Sequence, residues 1–253
     1  MLAVVAVVAS SCGSDEDGDD ARNLVRAAAS DLDAAPVDAV FSITFDSAGE
    51  TFTMDGDMTV DAGASLGRMT IRMHGLSDVP EAAELDVVID GDDTYFRNPE
   101  LYGTSDWVRV SSGEAGIGEQ FATGRDPSAL LGYLRGAENV EVVGAQTVAG
   151  ASTTHYRGDV DLDEAVAAMR PGGTVDPVGS TAASEGFAGY DVVFDAWIDD
   201  AGVVHRMHIA LTPERGGGGF VARVDVLEIG SELDVRVPSG DEVVDLQDLG
   251  AAP

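Results

Sequence analysis

The sequence predicts an α+β fold in which one antiparallel sheet, built as a meander, carries a few helices. Three observations support this. Apolar residues alternate with small or polar ones at a period of two over most of the chain, Gly- and Asp-containing turns separate the runs, and helical spacing is confined to a few segments. With 253 residues, 44% of them hydrophobic, the chain can bury a sizeable core.

The first predicted element is a helix over residues 22–35. Leu24, Val25, Ala28 and Leu32 recur at helical spacing, and Pro36 ends the pattern. The acidic segment 13–20 before it contains nothing that a core would bury, and we interpret it as a solvated tether.

After Pro36 the apolar residues recur at every second position, a spacing that is typical of strands. Short alternating runs, separated by turns at 48–50 and 91–93, predict an antiparallel meander. The strand residues are Phe41, Ile43 and Phe45; Phe52, Met54, Met58 and Val60; Met69, Ile71 and Met73; Leu85, Val87 and Ile89; Tyr95 and Phe96; and Trp107 to Val110.

Helical and extended segments alternate in the second half. Helices are expected at 127–134, with Asp126 as N-cap, and at 161–169. Strands are expected at 140–143, 153–160, 190–198, 203–211 and 220–229. Residues 171–187, rich in Gly, Pro, Ser and Thr, indicate a long exposed loop. No repeat or linker divides the chain, so residues 21–249 are expected to form one domain.

The charge balance excludes some partners. The chain has 14 basic residues, all arginine, against 46 acidic ones, for a net charge of -32. Nucleic acid is excluded because phosphate binding needs clustered bases. Electrostatic adsorption to an anionic membrane is disfavoured for the same reason, because no polybasic segment is present.

Cys12, the only cysteine, follows the apolar run 2–9 and two serines, and the acidic tether follows it. This layout is typical of a bacterial lipoprotein export signal, in which the cysteine is acylated. We therefore expect residues 1–12 to be a signal peptide ending at lipidated Cys12, with the true start upstream of Met1, since no base precedes Arg22. The alternative is an ordinary thiol in a cytosolic protein.

The order of elements resembles the actinobacterial lipoproteins of the LppX/LprG type and, more loosely, the LolA/LolB superfamily of lipoprotein carriers. The resemblance rests on the cysteine and tether, the first helix, the long meander, the strand pair 144–160 and the hairpin 196–207. It implies a strongly curved antiparallel half-barrel with helices packed on its concave face. It also implies a non-enzymatic protein that binds acylated lipid or lipoglycan in an apolar cavity between sheet and helices.

The alternating apolar residues supply candidates for the cavity lining. They are rich in Met and Phe, and flexible Met side chains adapt to ligands of differing shape. The candidates are Phe41, Ile43, Phe45, Phe52, Met54, Met58, Met69, Ile71, Met73 and Phe96. The alternative is that they form an ordinary packed core.

Motifs for other chemistry are incomplete. Gly75-Leu76-Ser77-Asp78 lacks the second glycine of a serine-hydrolase elbow, and Gly216 to Gly219 lacks the Lys-Ser/Thr of a phosphate loop. His205 and His208 are expected on opposite faces of one strand, which argues against a shared metal. Arg26 stands where a calcium loop starting at Asp15 would need its closing glutamate. We expect neither catalytic residues, nor a cofactor, nor a metal.

The sequence therefore predicts an envelope protein anchored through Cys12 to the outer face of the cytoplasmic membrane, with an acylated lipid or lipoglycan as its partner. One alternative is a module of the same fold that senses or holds another envelope protein. The other is an acidic secreted hydrolase, which would need two carboxylates converging in a polar cleft.

Overall fold

The predicted α+β class is confirmed. The computed structural model describes residues 15–32, 35–47, 50–75, 83–111, 127–168, 190–213 and 218–249. Twelve strands form one open, mostly antiparallel sheet. They are β1 Val37–Ser47, β2 Glu50–Asp61, β3 Leu66–His74, β4 Ala83–Asp90, β5 Asp93–Arg97, β6 Trp107–Ser111, β7 Ala137–Val148, β8 Ala151–Val160, β9 Tyr190–Ile198, β10 Val204–Pro213, β11 Gly219–Ile229 and β12 Val243–Asp245.

The sheet consists of two meanders joined along one seam. Its order is β12-β6-β5-β4-β3-β2-β1-β11-β10-β9-β8-β7, so that strands β1–β6 and β7–β11 are each neighbours in chain order. The first strand, β1, lies in the interior of the sheet between β2 and β11. In this seam Phe41 pairs with Val224, far apart in the chain. The C-terminal β12 pairs parallel with β6 and covers that edge.

Within the described ranges, four α-helices accompany the sheet: α1 Asp15–Asp31, α2 Pro99–Tyr102, α3 Pro127–Gly132 and α4 Leu162–Ala168, with a 3-10 turn Tyr133–Gly136 after α3. The first helix contacts β7, β9 and that turn, and α3 contacts β11. These helices cover the concave face of the sheet, where α1 buries Val25, Ala28 and Leu32 in the common core. Of the helices in the described ranges, none has the length and apolar character required to cross a membrane.

The first helix differs from its prediction at both ends. It begins at Asp15 and ends at Asp31, whereas the sequence predicts 22–35. Six residues of the segment predicted to be a tether are therefore helical. The reason is local: Asp19 pairs with Arg22 one turn later at 3.1 Å, and Ala21 is already buried against the sheet. Side-chain pairs three residues apart stabilise a helix that composition alone does not predict.

Arg26 fastens α1 to two other elements. Its Nε donates to the carbonyl oxygen of Ala137 in β7 at 2.9 Å, and its two terminal nitrogens donate to the Glu164 carboxylate in α4. Glu138, Asp161 and Glu164 bring their carboxylates together at this place. Arg26 supplies the opposite charge to that group, which gives the cluster a structural role.

Most strand predictions agree with the structure to within a few residues. Strand β9 has the predicted bounds, and the helix expected at 161–169 is α4. The segment expected at 140–143 is instead part of the longer strand β7. The signal segment 1–12 with Cys12, the N-cap Asp126 and the loop 171–187 lie outside the described residues.

The sequence does not predict how the chain crosses the outer, convex face after β11. Residues 230–242, here called the C-terminal strap, leave β11 at Gly230, whose N–H donates to the Pro36 carbonyl oxygen at 2.8 Å. Leu233, Val235 and Val237 are half-buried and alternate with exposed residues, so one side of the strap rests on the sheet. The strap ends in β12.

Candidate functional site: the concave apolar face

All ten predicted lining residues lie on the same side of the sheet, in successive cross-strand rows. Ile43 pairs with Met54, which pairs with Met73, and Met58 pairs with Met69, whose neighbour is Val87. Eight of the ten are buried, whereas Phe45 and Phe52 are only partly buried. The buried residues are Phe41, Ile43, Met54, Met58, Met69, Ile71, Met73 and Phe96.

The partly buried pair belongs to an aromatic rim at one end of the concave face, formed by Phe45, Phe52, Tyr190 and Phe220. The rings of Phe45 and Phe52 are stacked with centroids 4.4 Å apart, and Phe220 lies 5.6 Å from Phe45. The Tyr190 hydroxyl donates to the carbonyl oxygen of Gly218 at 3.1 Å, which fixes its ring. Large apolar side chains are therefore less covered at this rim than in the rows behind it.

Two Gly–Phe pairs shape the concave face. Gly56 pairs with Phe41 across β1 and β2, and Gly158 pairs with Phe194 across β8 and β9. A Cβ on Gly56 would meet the Thr70 carbonyl oxygen, and one on Gly158 would lie 2.8 Å from the Phe194 ring. The missing side chains let each ring lie over its neighbouring strand, as glycine allows where backbone must be approached closely.

The concave face offers almost no polar chemistry. Its buried side chains are apolar except for the phenols of Tyr133 and Tyr156. Of the other buried polar side chains in the described ranges, the register places Thr59, Thr153 and His155 on the convex face, and Asn98 caps α2. A face of this kind can hold hydrocarbon, and its described side chains include no pair of titratable groups of the sort that acid–base catalysis uses.

A polar network centred on Asp195 lies on the convex face. Asp195 in β9 accepts from His155 Nε2 at 2.6 Å and from Arg157 Nε at 2.9 Å, both in β8. The side chain of His155 is only 8% exposed and that of Asp195 17%. Burial opposes the charged form of Asp195, but the hydrogen bonds from Arg157 and His155 outweigh it and hold the pKa of this carboxyl below its usual value.

The network also fixes the tautomer of His155. The indole Nε1–H of Trp197 can only donate, and it donates to Gln146 Oε1 at 2.7 Å. The amide nitrogen of Gln146 is then the group that faces His155 Nδ1, at 3.3 Å. Nδ1 therefore accepts, and Nε2–H is the donor to Asp195. The His155 ring stacks on Trp197 with centroids 4.4 Å apart.

His208 lies on the other side of the same indole. Its ring meets Trp197 edge-on at 4.9 Å, and its Nε2 is buried without a hydrogen-bond partner in the described part of the chain. Burial, assisted by the nearby Arg223 guanidinium, lowers the pKa of His208 below its usual value. His205, by contrast, bonds Asp199 at 2.9 Å, so the two histidines lie in different surroundings.

The free energy of unfolding should therefore fall as the pH is lowered and His208 becomes protonated. Its pKa is lower folded than unfolded, so below about pH 6.5 the unfolded chain binds the proton first. We expect His208→Phe, which keeps an edge-on ring against Trp197, to show a smaller loss of unfolding free energy between neutral pH and pH 5 than the parent protein. Urea unfolding at a series of pH values measures this. If both proteins lose the same unfolding free energy between neutral pH and pH 5, His208 is not the source of the pH dependence.

Known proteins of the same architecture are found by structure and not by sequence. No protein-family model matches the chain, and no curated protein matches it. LprF from Mycobacterium bovis superposes with a TM-score of 0.52 at 14% identity, covering 88% of this chain and 98% of that one. The chain has the fold of the LppX/LprG-type lipoproteins. The Mycobacterium tuberculosis lipoprotein LppX superposes over 86% of this chain and all of its own, with 16% identity and a TM-score of 0.49.

The predicted resemblance is thereby confirmed at the level of the fold. The LppX/LprG-type architecture accounts for the open curved sheet and for the helices on its concave face. At such identities the likeness carries no residue roles, so the part played by the rim and by the rows behind it must be argued from this chain.

Proposed function

We propose that this protein is a non-enzymatic lipoprotein of the cell envelope that binds an acylated lipid or lipoglycan against its concave face. The observation that supports the proposal is the continuous cluster of apolar side chains on that face, which ends in a rim of partly buried aromatic rings. Burial of a chain of about sixteen carbons contributes roughly 12 kcal/mol at about 0.8 kcal/mol per methylene. Such a site needs apolar area and little else.

The proposed path of the ligand begins at the aromatic rim. An acyl chain entering there would pass Phe45, Phe52 and Phe220 and continue along the rows that contain Met54, Met58 and Met69. Methionine has three rotatable side-chain bonds, so these rows can repack around a chain at low cost. The lipid anchor at Cys12 would hold the domain at the outer face of the cytoplasmic membrane, where acylated ligands are present. The same lipids would be its cargo in transport across the envelope.

The test is to express the full chain for export in a mycolate-producing actinobacterium, purify it without detergent and identify the organic extract by mass spectrometry. We expect a near-stoichiometric acylated species. Phe220→Asp on the rim should reduce the bound lipid several-fold, because it places a charge in the path of the chain. Val221→Asp is the matched control, since Val221 is the next residue and points to the convex face, where it is 54% exposed.

An empty extract, repeated after incubation with total membrane lipid, would overturn lipid binding and favour a protein-interaction module of the same fold. An equal loss of lipid in both variants would instead mean that the aromatic rim is not part of the binding site. Circular dichroism of both variants distinguishes a lost ligand from a lost fold.

A further inference from the structure

A separate pocket lies on the convex face, between the sheet and the C-terminal strap. It has a volume of about 360 Å³ and is lined by polar and apolar residues of β2 to β6, Val88 and Trp107 among them, and by residues 234–236 of the strap. This volume is at the lower end of the range for small-molecule sites, about 300–1,000 Å³. The pocket is on the side of the sheet opposite the proposed acyl site, so it stands apart from that proposal.

The floor of the pocket is a row of polar residues in cross-strand register. Asp57 pairs with Thr70, Thr70 with Asp86, and Asp86 with Arg97. Arg97 Nε and Nη2 both donate to Asp86 Oδ2, at 3.2 and 2.7 Å, and the guanidinium stacks on Trp107 at 4.5 Å from the ring centroid. The Arg97 guanidinium is thus held by both Asp86 and Trp107, and Oδ1 of Asp86 has no partner among the described residues.

Arg68 lines the pocket with its hydrogen-bonding capacity unused. Arg72, on the same strand and face, binds Asp55 at 2.8 Å, and Arg109 binds Asp245 at 2.7 Å. Arg68 has neither an ion pair nor a hydrogen bond with any residue in the described ranges, although the pocket also contains the exposed carboxylate of Asp57. Convergent donors and acceptors that do not satisfy one another are what a polar ligand requires.

The charges of the lining select the class of ligand. Three arginines, Arg68, Arg97 and Arg236, line the pocket with three aspartates, Asp57, Asp86 and Asp234, and Arg236 also pairs with Glu242 at 2.8 Å. The pocket therefore has no excess of positive charge, and the chain as a whole carries a charge of -32, which repels anions. A hydroxyl group both donates and accepts, so a molecule with several hydroxyls can satisfy carboxylates and guanidinium together. Its C–H surfaces can also contact the indole of Trp107.

We propose that this pocket, formed by Arg68, Asp57, Thr70, Asp86 and Trp107 beneath the strap, binds a neutral saccharide. The pocket accommodates one or two sugar rings. The strap is part of the site because Asp234 and Val235 form its outer wall. The sugar can belong to a soluble glycan or to the headgroup of a glycolipid, and the same groups would recognise either.

The experiment titrates the full chain with maltose and with cellobiose by isothermal calorimetry, with inorganic phosphate as the anionic comparison. We expect millimolar binding of at least one sugar, tighter than that of phosphate. Arg68→Ala should weaken it about tenfold, equivalent to about 1.4 kcal/mol. Arg72→Ala removes an arginine from the same strand and face but outside the pocket, and should leave the affinity unchanged.

A second arm distinguishes the sources of the sugar. Phosphatidylcholine vesicles are prepared with and without a diglycosyl diacylglycerol, and co-sedimentation of the protein is measured. Binding that requires the glycolipid and decreases in Arg68→Ala identifies a headgroup, whereas binding of free sugar alone identifies a soluble glycan. The proposal is overturned if neither arm shows sugar-dependent binding, if phosphate binds more tightly than both sugars, or if Arg68→Ala binds like the parent.

Discussion

Replacing Gly56 with alanine is expected to destabilise the fold by about 3 kcal/mol, near the upper end of what overpacking costs. The new methyl group would meet the Thr70 carbonyl oxygen and lie 3.0 Å from Phe41 Cζ. The oxygen belongs to the paired backbone of β3 and cannot move away alone, so the β2–β3 ladder must shift. Urea unfolding, followed by far-UV circular dichroism, gives the change in unfolding free energy.

Gly91→Ala provides the comparison for this prediction. Gly91 lies in the turn between β4 and β5 with φ near +60°, and a Cβ there would have no atom within 4 Å. The expected cost is only the left-handed strain of about 1 kcal/mol. If the two variants lose the same stability, close approach to β3 is not what requires glycine at position 56.

Asp195→Ala should cost about 3 kcal/mol, because it leaves the buried side chain of His155, on the convex face, without its acceptor. Since the pKa of Asp195 is lower folded than unfolded, its contribution is fully present above about pH 4 and is lost as the pH falls through the folded value. The variant should therefore differ most from the parent at neutral pH, and the two should converge in acid. Unfolding free energies at pH 7 and below pH 4 test both statements.

Asp55→Ala is the matched control for Asp195→Ala. Asp55 also holds one arginine and one histidine, with Arg72 Nη2 and His74 Nε2 both at 2.8 Å. The His74 side chain is 39% exposed, against 8% for His155, so water can replace the lost carboxylate. We expect a cost below about 1 kcal/mol. A cost as large as that at Asp195 would mean that burial is not the source of the difference.

The sequence predicts the concave face well because its signal is periodic. Residues such as Ile43, Met54 and Ile71 alternate with polar neighbours, and alternation alone assigns them to one face of a sheet. The confirmed curvature and placement of the helices came instead from the resemblance to a family. Whether the concave face opens into a cavity depends on packing, which alternation does not encode, and the lining assignment stays a prediction.

The sequence does not predict the polar network on the convex face, for a different reason. His155, Asp195 and Trp197 meet only through the registers of β8 and β9, and no spacing within the sequence indicates that register. The strap is not predicted because the short alternation of Leu233, Val235 and Val237 does not indicate which surface those side chains cover. The short helix α2 did have a signal: Asn98 caps it, accepting from the Leu101 N–H at 2.7 Å, and Pro99 follows the cap.

The single seam between the two meanders also governs how fast this protein can fold. Each meander forms from strands that follow one another closely, but β1 pairs with β11, so that Val37 meets Ile229 only after nearly the whole chain is available. Pairing across such a distance carries a large loop-closure entropy and makes folding slow. During synthesis the native state is therefore reached only when the last long strand, β11, has emerged. Until then both meanders expose unpaired edges, and the period before seam closure is when the protein most needs protection from aggregation.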